Sequence, residues 1–485
     1  MIFNSLKFFI FFSIVFFIYY FPFKEKTRSQ NWLLLIASYT FYGIAEWRMI
    51  PLLLVATIIF YFLGLAIHSF ASSRISSIIT WFGVVIGIGL LLYFKYLNFF
   101  IESFAEMFNS IGLRVNWNTF NIIMPLGISF FTFKLISYII EIHRFKIEPT
   151  KNFVEFATYV SFFPTIMSGP IDRPNTFLPQ LGIKRPFNYD LAVDGCRQVL
   201  WGIFKKTIIA DSIADYVNSV WMNIPDQSGS TLIVTAFLYT IQMYTDFSGY
   251  SDMAIGIGKI FGFRIMRNFK YPFFARNIAE FWRNWHMSLT SWLTDYVFMP
   301  LNVKLRNLGN WGIGISIIIT FVLIGLWHGA NWTFAIFGLY HGMLYCTLIV
   351  SGKYFKKEKL NINALGLPSL PDFLKMTWIF FIVSLGLIIF RADNIKQAGE
   401  YFWGIFGTSS LISKPYGLSI LVPVLFLTAI MFIIEWYQRN EEYGLVLRKK
   451  GVLKYKAITA LIYWLIIICI LIYGGEAQDF IYFKF

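Results

Sequence analysis

The 485-residue sequence is 57% hydrophobic and only 14% charged, so most of its side chains cannot form the core of an ordinary soluble domain. Its formal net charge of +15 does not point to nucleic-acid binding, because no soluble basic domain is present to do it. The lysines and arginines instead fall in short clusters between apolar runs: Lys24, Lys26 and Arg28; Lys205 and Lys206; Lys356, Lys357 and Lys359; Arg448, Lys449 and Lys450. Such clusters predict cytoplasmic loop ends in contact with anionic lipid headgroups.

Crossing roughly 30 Å of hydrocarbon takes about 20 predominantly apolar residues, and the chain offers about eleven to thirteen runs by that rule. The first, FNSLKFFIFFSIVFFIYYFPF, lacks a small-residue cleavage site and reads as a retained span. Residues 31–46, 50–70, 78–101 and 121–142 continue an N-terminal bundle, whereas 102–118, with Glu102, Glu106, Asn109 and Arg114, predict an amphipathic helix along the interface. The 55 phenylalanines suit a lipid-facing surface and tell nothing of chemistry.

From about 124 to 345 the pattern changes. PLGISFF (125–131), FPTIMSGPIDRP (163–174), YTDFSGYSDMAIG (244–256), NIAEFWRNWHMSLTSWLTDY (277–296) and GLWHGANW (325–332) put polar residues into apolar surroundings. Polar groups at membrane depth are costly and usually face the bundle interior or a water-filled cavity. Their proline and glycine residues predict broken or re-entrant helices, tolerated only where protein or a cavity covers the freed backbone. Plainer spans follow at about 373–390, 416–436 and 457–473, joined by KYFKKEK (353–359) and RNEEYGLVLRKKGVLKYK (439–456). Both loops read as cytoplasmic, and the two spans between them agree with that. No internal repeat is visible. Cys196, Cys346 and Cys469 lack metal-like spacing and read as small core hydrophobes.

Of five histidines, His68 and His143 sit at wet boundaries. His286, at helical spacing, has Trp282 and Arg283 one turn before it and Thr290 one turn after. It either positions an acceptor or an anionic donor, or simply satisfies Arg283 and Asp295 in a polar bundle. His328 follows the apolar FVLIGLW and precedes Gly-Ala, which permits close approach. A desolvated, neutral imidazole there is ready to take a proton, and Asn331, one turn along, can orient the ring or a reacting carbonyl. A continuous helix would carry His341 about 20 Å further and about 140° round, so a His328/His341 metal pair requires a break; no metal site is expected. Asp246 and Asp252 fit either tight packing with buried hydrogen bonds or proton carriage, as in a permease.

Taken together, PLGISFFTFKLISYIIE (125–141), FFPTIMSGPIDRPNTFLPQL (162–181), GIFKKTIIAD (202–211), YTDFSGYSDMAIGIGKIFGF (244–263), the block 272–301, GLWHGANWTFAIFGLYHG (325–342) and FRAD (390–393) resemble the membrane-bound O-acyltransferase (MBOAT) family, and within it the alginate O-acetyltransferase-like bacterial branch. The resemblance covers about 120–395 and implies an all-α polytopic fold, a ring of tilted helices round a central tunnel. It implies one integral-membrane domain: N-terminal helices 1–120, catalytic core 121–395, C-terminal helices 396–485. His328 takes the family's active-site position and His286 its upstream polar one, with Asn331, Trp327, Trp332, Arg283, Trp282, Trp285, Asp246 and Ser248 as support. Two departures stand out: Glu141, where relatives often have aspartate, and NVKLRNLGNWG in place of a glycine-rich turn.

The implied activity is acetyl transfer from a cytoplasmic thioester, acetyl-CoA or an acyl carrier, to a cell-envelope or exported polysaccharide. No permanently bound cofactor is implied. An extracytoplasmic acetyltransferase would be the partner protein, in a bacterial inner membrane. The alternatives are D-alanyl transfer from a carrier protein to teichoic acid, in the same family, or a proton-coupled transporter or flippase, for which paired half-repeats would be expected.

Overall fold

Apolar runs become helices wherever a capping side chain or a left-handed turn starts them, as Ser5 does by accepting a hydrogen bond from the Phe8 amide at 3.2 Å. The computed structural model describes residues 3–115, 117–352, 360–406, 411, 413–446, 456–476 and 478–481. These contain no β-strand beyond one isolated bridge, Ile362 to Pro368. The basic loop 353–359 and residues 447–455 of the loop 439–456 lie outside the described residues. The chain divides into two compact units, Met1–Cys196 with Ala254–Met266, and Arg197–Met253 with Arg267–Phe485.

The first unit holds α1 (Leu6–Tyr20), α2 (Thr27–Glu46), α3 (Ile50–Ser69), α4 (Arg74–Leu91), α5 (Leu97–Ser110), α6 (Ile128–His143), α7 (Phe153–Ser161) and α8 (Pro174–Gly182). The motif at 163–173 is buried, irregular backbone between α7 and α8. The surrounding protein satisfies it: Lys134 Nζ donates to Thr165 Oγ1 at 2.9 Å and to the Tyr159 carbonyl at 3.2 Å, and Ser38 Oγ accepts from the Phe163 amide at 3.0 Å. Such a segment is tolerated in apolar surroundings only on those terms.

Two expectations for this unit need correction. Residues 102–118 are not a separate amphipathic helix; α4 runs through a π-helical turn at Leu92–Tyr96 into α5, and helix ends at Ser110. The following loop folds back instead, because Asn98 bonds the Phe120 carbonyl (2.8 Å) and amide (3.0 Å), and Asn109 Oδ1 accepts from the Val115 amide at 2.9 Å. The run 121–142 becomes helical only at Ile128, after Gly127 at φ +70°, where a Cβ would meet the Ile166 carbonyl oxygen at 2.2 Å.

α9 (Tyr189–Ile203) leads into the second unit, which continues with α10 (Asp211–Trp221), most of α11 (Gly229–Ile260), α12 (Ile278–Asn284), α13 (Met287–Leu293), α14 (Met299–Lys304), α15 (Asn310–His328), α16 (Trp332–Val350), α17 (Leu370–Arg391), α18 (Ile395–Phe406), α19 (Val422–Tyr437) and α20 (Lys456–Tyr473). YTDFSGYSDMAIG does not break α11. Its Gly249 serves close packing, since a Cβ there would lie 2.8 Å from the Gly202 carbonyl oxygen. Lys205 and Lys206 are therefore not a headgroup cluster but are 2% and 3% exposed. Lys205 Nζ meets Asp252 at 2.6 Å and Ser248 Oγ at 2.9 Å; Lys206 Nζ meets Asp246 at 2.6 Å and Asp211 at 2.7 Å. Asp246 also accepts from the Ile481 amide at 2.9 Å, which seats Phe480 against Tyr250 with ring centroids 4.6 Å apart.

α15 and α16 form a hairpin closed by glycines. A Cβ at Gly325 would stand 2.0 Å from the Phe334 carbonyl oxygen, and one at Gly338 would stand 2.2 Å from that of Phe321. Small residues let membrane helices approach this closely. No cysteine reaches the core: Cys196 is exposed, Cys346 and Cys469 half-buried.

Six stretches among the described residues are long and apolar enough to cross a membrane: Thr27–Ser69, Arg74–Ser110, Asn310–His328, Trp332–Val350, Leu370–Arg391 and Leu418–Tyr437. Leu6–Tyr20 and Ala457–Tyr473 are apolar but shorter. The number falls below the runs counted in the sequence partly because Thr27–Ser69 joins α2 and α3, and because α6 has only 16 residues. The protein is a multi-pass, all-α membrane protein.

Two outcomes follow. Gly338→Ala overpacks the hairpin by about 1–3 kcal/mol, and should lower the midpoint of thermal unfolding in detergent. Lys206→Met strands two buried carboxylates at about 3–5 kcal/mol. Gel filtration should show aggregate for that variant and a monodisperse peak once Asp211→Asn and Asp246→Asn are added.

Candidate functional site

The site is built in the second unit from a break that the helical reading of 277–296 does not contain. Asn277 caps α12 by accepting from the Glu280 amide at 2.8 Å, and Glu280 reaches back to the Arg276 amide at 2.9 Å. The helix then stops. Trp285 is extended, and His286 adopts φ +43° and ψ 52°, a left-handed conformation that costs a non-glycine residue about 1–3 kcal/mol. Asn268 holds the kink: its carbonyl accepts from the Met287 amide at 2.8 Å, and its side-chain oxygen from Ser288 Oγ at 2.6 Å. Its amide donates to Ser251 Oγ on α11 at 3.1 Å. Strain maintained in this way clusters at functional sites.

The kink sends the two halves of the motif in different directions. His286, 1% exposed, lies with its ring centroid 6.2 Å from that of His328, which is 3% exposed at the last position of α15. Trp327 walls the pair at 5.4 Å from His286 and 5.1 Å from His328; Phe247 and Phe390 complete the aromatic surround at 4.6 Å and 5.1 Å. Burial pushes the His286 imidazole below its ordinary pKa, so it is neutral near pH 7. Arg283 is carried away from this pair to the opposite side of α12.

His328 lines a narrow cavity of ≈ 10 Å³ with Met243, Phe281, Trp282, Trp285, Phe337, His341, Val383, Leu387 and Phe390. The presence of His341 there differs from the continuous-helix expectation. Gly329, Ala330 and Asn331 end α15 and start α16, so the chain turns back and both imidazoles reach one space. The signal was legible in Gly329 followed by Asn331, a helix stop and an N-cap in succession. Among the described residues no group of three or more His, Cys, Asp or Glu is placed to hold a metal ion.

The supporting residues separate into three groups. Trp327, Trp282 and Trp285 are buried at or beside the histidines. Asn331 does not orient His328; its Oδ1 accepts from the Thr333 amide at 3.0 Å and its Nδ2 donates to the Asp393 carbonyl at 2.6 Å, so both polar ends cap and anchor α16. Trp332 is 52% exposed and outside the cavity lining. Asp246 and Ser248 sit in the buried lysine network, from which Phe247 reaches His286.

Sequence reading passed over a second cavity. Across α12, about 400 Å³ is lined by Lys270, Tyr271, Phe274, Arg276, Asn277, Glu280, Arg283, Asn284, Leu360, Trp436, Arg439 and Asn440. Four cations face it with one carboxylate, and the Arg439 guanidinium lies 4.5 Å from the Trp436 ring centroid. α12 thus turns Phe281 and Trp282 to the histidine cavity and Asn277, Glu280 and Arg283 to the basic one.

Comparison with known proteins places this arrangement. The chain is 36% identical to a probable alginate O-acetylase of Azotobacter vinelandii, over 90% of this chain and 84% of that protein. A peptidoglycan O-acetyltransferase of Helicobacter pylori is 29% identical over 85% of this chain and 81% of its own length. A teichoic acid D-alanyltransferase of Bacillus subtilis is 33% identical, over 56% of this chain and 69% of its own. Residues 39–358, which include both buried histidines of the pair and the kinked α12–α13 segment, match one family throughout. The chain belongs to the membrane-bound O-acyltransferase family and is an acyltransferase.

Proposed function

We propose that this protein moves acetyl groups from a cytoplasmic thioester across a bacterial inner membrane for O-acetylation of a cell-envelope or exported polysaccharide. Residues 121–395 form its catalytic core. The observation that carries the reading is the buried His286–His328 pair, 6.2 Å between ring centroids and walled by tryptophan and phenylalanine. Water is excluded there, which protects a thioester from hydrolysis. His328 takes the proton of the acceptor hydroxyl as its oxygen attacks the thioester carbonyl; the tetrahedral intermediate collapses, the C–S bond breaks, and the leaving sulfur takes up a proton. Neutral His286 orients the acceptor beside it.

The basic cavity supports a donor with phosphate on its tail. Lys270, Arg276, Arg283 and Arg439 suit phosphate oxygens, and acetyl-CoA and a phosphopantetheine-bearing carrier both have phosphate. The acetyl reading is preferred to D-alanyl transfer because the alginate O-acetylase match spans 90% of the chain and the D-alanyltransferase match 56%. An extracytoplasmic acetyltransferase that completes delivery to the polymer is the partner this reading requires.

In cells that depend on this chain for envelope O-acetylation, His328→Ala should reduce base-released acetate to background while the protein remains in the membrane. Unchanged acetate in that variant removes the catalytic assignment. With purified protein in liposomes and acetyl-CoA as donor, Lys270→Ala with Arg283→Ala should raise KM about tenfold and leave kcat within about twofold, read as thiol release.

A further inference from the structure

We infer that His341 is a further substrate-contacting residue of this site, donating a hydrogen bond from Nε2 to a carbonyl oxygen of the acyl donor; this rests on the acyl-transfer reading above. His341 is 1% exposed in the middle of α16. Trp282 Nε1 lies 3.3 Å from its Nδ1. An indole N–H only donates, so Nδ1 accepts and the ring proton sits on Nε2. Trp282 therefore sets the tautomer of His341 in the way a neighbouring group sets that of any working imidazole.

The Nε2–H has no hydrogen-bond partner among the described residues. A buried donor without an acceptor is costly and rare, and it marks a group awaiting a ligand or serving a role other than packing. The residue packed against Nε2 is Gly386 of α17, where a Cβ would stand 2.7 Å away, so a larger residue there would crowd this edge of the ring. The cavity shared by His341 and His328 has room for about one oxygen-sized group.

Geometry divides the labour of the two imidazoles. The Phe337 ring packs near both, 6.5 Å from His328 and 4.6 Å from His341 by centroids. The two address different atoms of one extended ligand. His328 serves the reacting hydroxyl, and His341 fixes a carbonyl of the donor chain so that the thioester arrives in register. Among neutral side chains only those with an N–H or O–H at this reach can substitute, which makes glutamine the informative replacement.

The test compares His341→Leu, His341→Gln and Trp282→Phe with the unaltered protein, purified in liposomes and supplied with acetyl-CoA, with thiol release as the measure of transfer. Transfer is read per mole of protein that is monodisperse on gel filtration, alongside the thermal midpoint. Removing one hydrogen bond that orients a reacting group should lower the transfer rate of His341→Leu about 10-fold or more. His341→Gln should recover to within about threefold of wild type, and Trp282→Phe, which frees the tautomer, should fall between them. A His341→Leu protein that is less heat-stable yet transfers at the wild-type rate overturns the proposal, since the ring would then only fill space or hold a structural water. Equal losses for leucine and glutamine at equal stability overturn it as well. Should the unaltered chain release no thiol from acetyl-CoA, the reading of acetyl-CoA as donor fails instead, so the two failures are distinguishable.

Discussion

An unpaired charge cannot be kept in surroundings this apolar, and the second unit is organised around that constraint. Lys205 and Lys206 are adjacent in sequence and both buried, so each needs its own carboxylate within reach. α11 supplies Asp252 and Asp246, each 2.6 Å from its lysine, six residues apart and so about 120° apart round the helix. The two backbones can come that close only because Gly202 and Gly249 face each other. Once made, the network also captures the chain near its far end, through the Ile481 amide on Asp246 and the Gln478 carbonyl on Lys206.

That ionic cluster is coupled to the buried histidine pair by packing. Phe480 lies 5.8 Å from Phe247, and Phe247 lies 4.6 Å edge-on to His286, centroid to centroid. From the other side, α11 reaches His286 through Ser251 and Asn268, which hold the left-handed kink. One helix therefore provides both the counter-ions and the support of the kink, with Ser251 adjacent to Asp252. Its Asp246 and Ser248 are tied to lysines, and their burial with those partners argues for support of shape over proton carriage.

The glycine-closed hairpin of α15 and α16 contributes the second half of the site. Close backbone contact at Gly325 and Gly338 brings the helices together, and the turn at Gly329–Asn331 reverses direction directly after His328. Asn331 is committed to that turn, which is why it cannot also orient the imidazole. α12 then lies between two cavities of opposite character, one aromatic and narrow, one basic and open. A helix of seven residues separates them.

Composition and the order of motifs were enough to determine the membrane setting, the helical class and the family resemblance; burial cost made His328 conspicuous as a candidate in its apolar run, and the resemblance pointed to His286. The sequence also warned of irregular backbone at 163–174, where proline and glycine interrupt an apolar run. What it did not determine was direction. Whether a helix continues or kinks at His286 depends on Asn268, some twenty residues earlier, and no local pattern records that. Whether Lys205 and Lys206 face headgroups or carboxylates depends on a glycine-to-glycine contact between helices. The inclusion of His341, and the exclusion of Arg283, Asn331 and Trp332 from the histidine cavity, follow from the same cause. Periodicity reports which face of a helix is apolar, but where that face points is decided by long-range hydrogen bonds and close packing, which exist only once the chain has folded.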